Sequence, residues 1–434
     1  MAIAKEKLLA RRRDALSARL ETLTLPEGGA WITEARKTAL ARLETMGLPT
    51  GRDEYWRFTK PESLNAAEPE PAAVFDHGEE TPVFDAVERT RIVFVDGVFD
   101  AAQSDDLSVD GIEIERLEDA ARADIHWAKD IYGAIETRGQ TPVERPHAAL
   151  NTAFATDGVL IRVTGKAEKP VSLIYQHKNE TSDAFLHNVV RVEAGGELTL
   201  LENGPAAARF NKVLEVDIAA GGRLHHIRAQ GRDHERRAVT GMFVRQDEDS
   251  LFKSFTLTVN GRLTRNEIYV DLEGPNASAH VAGAALGHGD FHHDDTVFIR
   301  HDAENCESRQ VFKKVLQEGA IGTFQGKILV ERGAQKTDGY QKSQSLLLDD
   351  GANFLAKPEL EIYADDVACS HGSTSGAIDK DMLFYLRARG IDEKTAMDLL
   401  VIAFVAEAME EVEDERFREE LVERLEGWLL RRRG

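Results

Sequence analysis

In "ADDVACSH", Cys369 and His371 lie two residues apart, so on an extended segment both side chains face the same way. A thiolate beside an imidazole offers soft-to-borderline ligation, suited to iron, zinc or iron–sulfur species. The pair supplies two donors where most such sites need four. On residue types alone a buried structural pair is the favoured reading, with part of a larger site the other. Asp365 and Asp366 just before it would fall on opposite faces, and either could cap a turn. A second stretch, "HVAGAALGHGDFHHDDTVFIRH", holds five of the 14 histidines, with Asp290, Asp294 and Asp295 among them. On a strand from Phe291 to Phe298, His292, Asp294 and Thr296 share one face, and imidazole with carboxylate could bind a first-row metal. The spacing matches no familiar zinc or facial-triad motif, so a hydrogen-bonded polar row is the favoured reading. "GSTSG", Gly372 to Gly376, has Thr374 where a hydrolase elbow would carry its nucleophilic serine, and its small residues read as a tight exit from a sheet. The pairs Gly165-Lys166 and Gly326-Lys327 lack the upstream glycine and the following hydroxyl of a phosphate-cradling loop. ATP energy, if used, would have to come from a partner.

The elements that must position these residues fall into successive regions. Residues 1–64 read as helical: Leu8, Leu9, Leu16 and Leu20 have near-helical spacing, Pro26, Gly28 and Gly29 break the run, and a second helix ends at Gly47. Trp56 and Phe58 are available to dock these helices. Residues 65–90 read as a linker, rich in Ala, Pro and Glu as far as Gly78. Residues 91–378 are mainly β: short alternating runs such as "GVLIRVTG" and "NVVRVEAGGELTLLE" are bounded by Gly, Asn or Asp. The similar turns at Gly195-Gly196 and Gly221-Gly222 suggest a solenoid with coils of roughly 15 to 25 residues, such as a parallel β-helix. A β-sandwich competes with it. Residues 379–434 return to helix, with Asp379 and Asp392 as caps and Gly390 as a left-handed terminator. The helix around Leu399 to Met409 is apolar around most of its circumference and must be buried, at home or against another subunit. The last segment starts acidic and ends with Arg431, Arg432 and Arg433, as a helix dipole favours.

Composition narrows the function classes. With 42% hydrophobic and 30% charged residues the chain is an ordinary globular polypeptide. Its net charge of −22 repels phosphate backbones, which argues against nucleic acid. No apolar run approaches the roughly 20 residues that cross a bilayer, and the N-terminus lacks a secretory apolar region, so a cytoplasmic setting is expected. Two cysteines are too few for a disulfide framework or a four-thiolate cluster, and Cys306 reads as a small buried hydrophobe.

The blocks "CESRQVFKKVL", "FQGKI", "AQKTDGYQ", "LEIYADDV", "CSHG", "LFYLRARG" and "LLVIAF", in that order, resemble the SufB/SufD family of the SUF iron–sulfur cluster assembly system. "GLPTGRDEYWRFT" and "LNTAFATDG" are weaker echoes. "CSHG" followed by "FYLRARGI", in place of a "CEHE"-like block, places the resemblance on the SufD side. It implies a right-handed parallel β-helix core flanked by N-terminal and C-terminal α-helical domains, in a scaffold subunit without catalysis of its own. It further implies a heterodimer with a SufB-like paralogue through the core, and docking of the C-terminal helices on a SufC-like ATPase. His371 corresponds to the family histidine near the subunit interface where nascent cluster or iron is thought to assemble, and Cys369 to its neighbouring cysteine. An incomplete set of donors would thus be completed by the partner. A bound flavin and a homodimer of the lone chain are left open. Departures from the family pattern are Ala368 in place of a basic residue, and Ser373 and Ser375 in place of Ala and Val. Two other readings stand beside this one: a β-helix carbohydrate-active enzyme using Asp294 and Asp295, disfavoured by only 7% aromatic residues, and a purely structural platform for SufB.

Overall fold

The computed structural model describes residues 2–75, 82–204, 206–231 and 234–431, with side chains from residue 6 onward. Residues 76–81 of the expected linker, and Arg432 and Arg433 of the expected basic terminus, lie outside the described residues.

Alternation of apolar and polar residues puts one side chain in two inside, and the chain uses this to wind a parallel β-solenoid of about seven turns. From Val159–Val163 onward, successive strands switch between two sheets, of ten and nine strands, and every strand from Val171–Gln176 on stacks parallel on the coil before it; the antiparallel pairs are those of the short opening strands Val98–Phe99 and Ile112–Arg116. That topology excludes the sandwich, whose sheets are built from antiparallel hairpins. Stacked residues are 26 apart at Asp183 and Arg209, 28 at Asp217 and Arg245, and 31 at Glu307 and Asp338. The coil is therefore longer than the sequence spacing suggested, because each turn takes a strand from both sheets. The turns are made by residues in the left-handed region, among them Gly195 (φ 69°), Gly221 (φ 67°) and Asn276 (φ 61°).

Inside, like residues stack on like. Val190, Val216, Val244, Val270, Ile299 and Ile328 occupy one register position in successive coils, and all are buried. Burying each such side chain contributes about 1.5–3 kcal/mol. Polar rungs interrupt this core. Glu202 accepts from the Lys212 ammonium, pairs with His226 Nε2 at 2.9 Å and accepts from Tyr175 Oη at 2.7 Å. Burial alone would raise the Glu202 carboxyl, but Lys212 and His226 hold it well below the usual range.

Helices cover both outer faces. Helices Ala2–Leu20, Ala30–Met46 and Pro146–Phe154 pack on the nine-stranded sheet through Leu43, Leu150, Phe185, Val213, Phe243 and Phe298. Gly47 ends the second helix at φ 66°, as its sequence position implied. Trp56 docks on Val239 and Leu263 under the Arg265 guanidinium, whereas Phe58 stays half-buried outside that cluster. On the ten-stranded sheet, helix Glu393–Met409 lays Val401, Val405, Ala408 and Met409 in one cluster with Ile227, Phe255, Ala282 and Val315. Helix Glu415–Arg431 adds Phe417, Leu421, Leu425 and Trp428. The inner side of the apolar helix is therefore buried at home.

Candidate functional site

The solenoid ends bare. Its last two strands, Asn353–Ile362 and Ala368–Gly376, form the outer edges of the two sheets, each paired on one side only. The first is half-buried for most of its length and the second mostly exposed. Two adjacent unpaired edges at one end of a parallel solenoid offer rows of unsatisfied backbone N–H and C=O groups, a template for another chain's strands.

Cys369 and His371 sit on this final strand, opposite Gly339 and Gln341 of the neighbouring strand Asp338–Leu347. Both side chains lie on the lumen face, as their two-residue spacing requires. Ser373 and Ser375 continue that row, bonded to Ser343 at 3.0 Å and Ser345 at 2.8 Å. "GSTSG" is thus part of an edge strand, neither an elbow nor an exit from the sheet; the helix begins later, at Lys380, capped by Asp379.

The two donors differ in environment. Cys369 packs beside Ile328, Val330, Ala334 and Ala364, and its Sγ would stand 3.2 Å from a Cβ on Gly339. Burial, with the charge of Asp338 adding to it, pushes the Cys369 thiol up, against the Gly339 backbone N–H. It is a thiol at neutral pH until a metal displaces its proton. His371 is exposed and makes no hydrogen bond among the described residues. Asp365 and Asp366 are exposed and neither carboxylate caps a turn; the Asp366 backbone instead joins Gln335 and Lys336. Among the described residues no group of three His, Cys, Asp or Glu side chains is placed to hold a metal. Cys369 and His371 fit iron or an iron–sulfur species in donor type and shared face, but they fill only part of a coordination sphere.

The histidine-rich segment disperses. His280 Nδ1 meets Glu411 at 2.8 Å, tying the C-terminal helices to the solenoid. His292, Asp294 and Thr296 face the N-terminal region, where Thr59 Oγ1 donates to Asp294 at 2.5 Å and Arg265 pairs with the same carboxylate. His293 and Asp295 face the lumen and share Lys314 Nζ at 2.7 and 2.6 Å. The single polar row expected from the sequence does not form, because neighbouring strand residues face opposite sides and each set finds its own partners. Asp294 and Asp295, pointing to opposite faces and each paired with a cation, make no acid–base couple. Cys306 is buried with its Sγ 3.3 Å from the Gly274 carbonyl, the small hydrophobe expected.

A second exposed feature adjoins the bare end. Helix Lys380–Ala388 buries none of its residues, and Met382, Phe384 and Tyr385 stand in solvent, Phe384 at 74% exposure, with Leu399 of the next helix beside them in the exposed set. The sequence reading put the partner-seeking face on Leu399 to Met409. In the structure one side of that helix packs on the sheet, while Leu399, Ala403 and Ala406 stay exposed. "MLFYL" carried the signal, five apolar residues in a row on a short helix.

Comparison with known proteins places this geometry in a family. Residues 174–404 match the family model described as SUF system FeS cluster assembly, SufBD core domain. The chain is 28% identical over 396 residues to the iron–sulfur cluster assembly protein SufD of Escherichia coli (strain K12), covering 87% of this chain and 88% of that protein. It is 31% identical over 297 residues to the chloroplastic protein ABCI7 of Arabidopsis thaliana, covering 65% and 62%. A SufBD family protein of Synechocystis is 25% identical over 385 residues, covering 84% of each.

Proposed function

The chain belongs to the SufBD core family of SUF-system iron–sulfur cluster assembly, and from that premise we propose that it is a non-catalytic scaffold subunit contributing donors to a shared assembly site. The observation that carries the reading is the placement of Cys369 and His371 together on the lumen face of an unpaired edge strand. A nascent cluster, or its iron, is the cargo of this site. His371 offers a neutral imidazole nitrogen and Cys369 a thiol whose proton the metal displaces.

Each surface has a proposed occupant. The two bare edges accept strands of a SufB-like paralogue, which brings the missing thiolate and carboxylate donors and covers backbone groups that would otherwise template pairing with other chains. The exposed face of Met382, Phe384 and Tyr385 docks a SufC-like ATPase, which supplies the hydrolysis that this chain has no phosphate loop to perform. Residues 1–64, 65–90, 91–378 and 379–434 then serve as covering helices, linker, pairing core and ATPase-docking end, in the cytoplasm. No helix among the described residues is long and apolar enough to cross a membrane.

The test is anaerobic reconstitution of the purified complex carrying His371→Ala. Cluster formation falls at least about tenfold while complex assembly is unchanged. Formation at the wild-type rate removes His371 from the site.

A further inference from the structure

One hydrogen-bonding row in the lumen runs up to His371. Gln310, Gln341 and His371 stack in register across the last three strands of the ten-stranded sheet. Gln310 is 0% and Gln341 1% exposed. Gln341 Nε2 donates to Gln310 Oε1 at 3.0 Å. That donation leaves Gln341 Oε1 buried and without a hydrogen-bond partner. On its far side the row stops at Val281, which has no polar side-chain atom to offer. A buried amide oxygen left unpaired costs about 1–3 kcal/mol. Its neighbour on the open side is His371, one strand spacing away, about 4.8 Å. The opposite sheet makes room for this row: a Cβ on Gly326 would come within 1.5 Å of Gln341 Nε2, so only glycine there lets the amide reach into the lumen.

We propose that Gln341 is a positioning residue for His371. Its Oε1 accepts the N–H of one imidazole nitrogen, which fixes the tautomer and leaves the other nitrogen with its lone pair free for iron. Closing this bond requires the exposed His371 ring to turn toward Gln341. The direction of the row decides the chemistry. An amide turned to present its NH₂ would instead consume the lone pair that a ligand needs. The consequence for metal binding rests on the assembly-site reading above; the tautomer itself does not.

The test is ¹⁵N-histidine NMR on the full chain at about pH 8, with the His371 resonances identified by their loss in His371→Ala. Wild type gives one protonated and one unprotonated ring nitrogen, well separated. The near-isosteric Gln341→Met brings the two together by tautomer averaging. Gln341→Glu, whose ionised carboxylate only accepts, keeps the wild-type pattern. Wild-type rings already averaged, unchanged by Gln341→Met, or inverted by Gln341→Glu would overturn the proposal. Titration of the assembled complex with ferrous iron alone gives the second readout: Gln341→Met weakens binding about 10- to 100-fold, and unaltered binding refutes the positioning role. His371→Ala decides the site reading separately. If it leaves iron affinity untouched while the tautomer pattern of wild type stands, the assembly-site reading fails and the hydrogen bond survives.

Discussion

His371 is exposed on the last strand, and its one proposed tie to the lone chain is the hydrogen bond to Gln341. His371→Ala should therefore change unfolding free energy by no more than that one bond, about 0.5–1.5 kcal/mol, measured by urea titration, while sharply lowering cluster formation. The buried histidines behave oppositely. Burial, with the Arg265 charge adding to it, pushes His147 down to about 3, and burial pushes His301 down to about 4. Each keeps one ring nitrogen buried without a hydrogen-bond partner. Their folded values lie below the ordinary imidazole value of about 6.5, so between those limits the unfolded chain binds more protons. Stability is full above about pH 6.5 and is lost as pH falls toward 4. Urea midpoints at pH 7 and 5 should show the loss, and His301→Gln should reduce it; a midpoint independent of pH would contradict the burial argument. At this scale the sequence disclosed what is local. The two-residue spacing of Cys369 and His371 fixed their shared face, whereas the role of Gln341 was hidden. It meets Gln310 and His371 only through coils about 30 residues apart, a separation that no short motif records.

Alternating strands and their turns were legible because strand periodicity and left-handed turn residues are local properties. The arrangement of those strands was not, since parallel and antiparallel partners demand the same alternation. The "CSHG" and neighbouring blocks decided it through family resemblance. Pairing also explains the misread "GSTSG": its serines look like turn residues in isolation, yet Ser373 and Ser375 bond their register partners in the next coil. Helix Glu393–Met409 was legible as needing burial, but which surface buried it depended on the outer face of a sheet to which residues as early as Ile227 contribute. The helix left unburied is Lys380–Ala388. Phe384→Glu should abolish co-purification with the proposed SufC-like ATPase while shifting the isolated chain's unfolding free energy by no more than a surface substitution does, about ±0.5 kcal/mol. Undiminished co-purification would assign the docking elsewhere.

The whole molecule is a rod with a packed, partly ionic lumen, covered on both sides and open at one end. Its rigidity comes from stacked aliphatic rungs, and its polar rungs are tolerated because they are paired. Lys212, pushed down to about 8 by burial against the pull of Glu202, shows how narrow that tolerance is. Lys212→Met should destabilise the chain by about 3–5 kcal/mol, because Glu202 would stay buried with its cation gone; a loss below about 1 kcal/mol would mean the rung is not a true ion pair. On the proposed reading a rod of this kind presents donors at its open end, and two of them do not hold a cluster unaided. The most direct measurement of that claim is the iron and sulfide bound per chain after anaerobic reconstitution, for this protein alone and for the complex with its paralogue and ATPase, each with and without His371→Ala. The account predicts no stable cluster on the lone chain, a cluster on the complex, and its loss in the variant complex. A stable cluster on the lone chain, or equal loading of the wild-type and variant complexes, would contradict it.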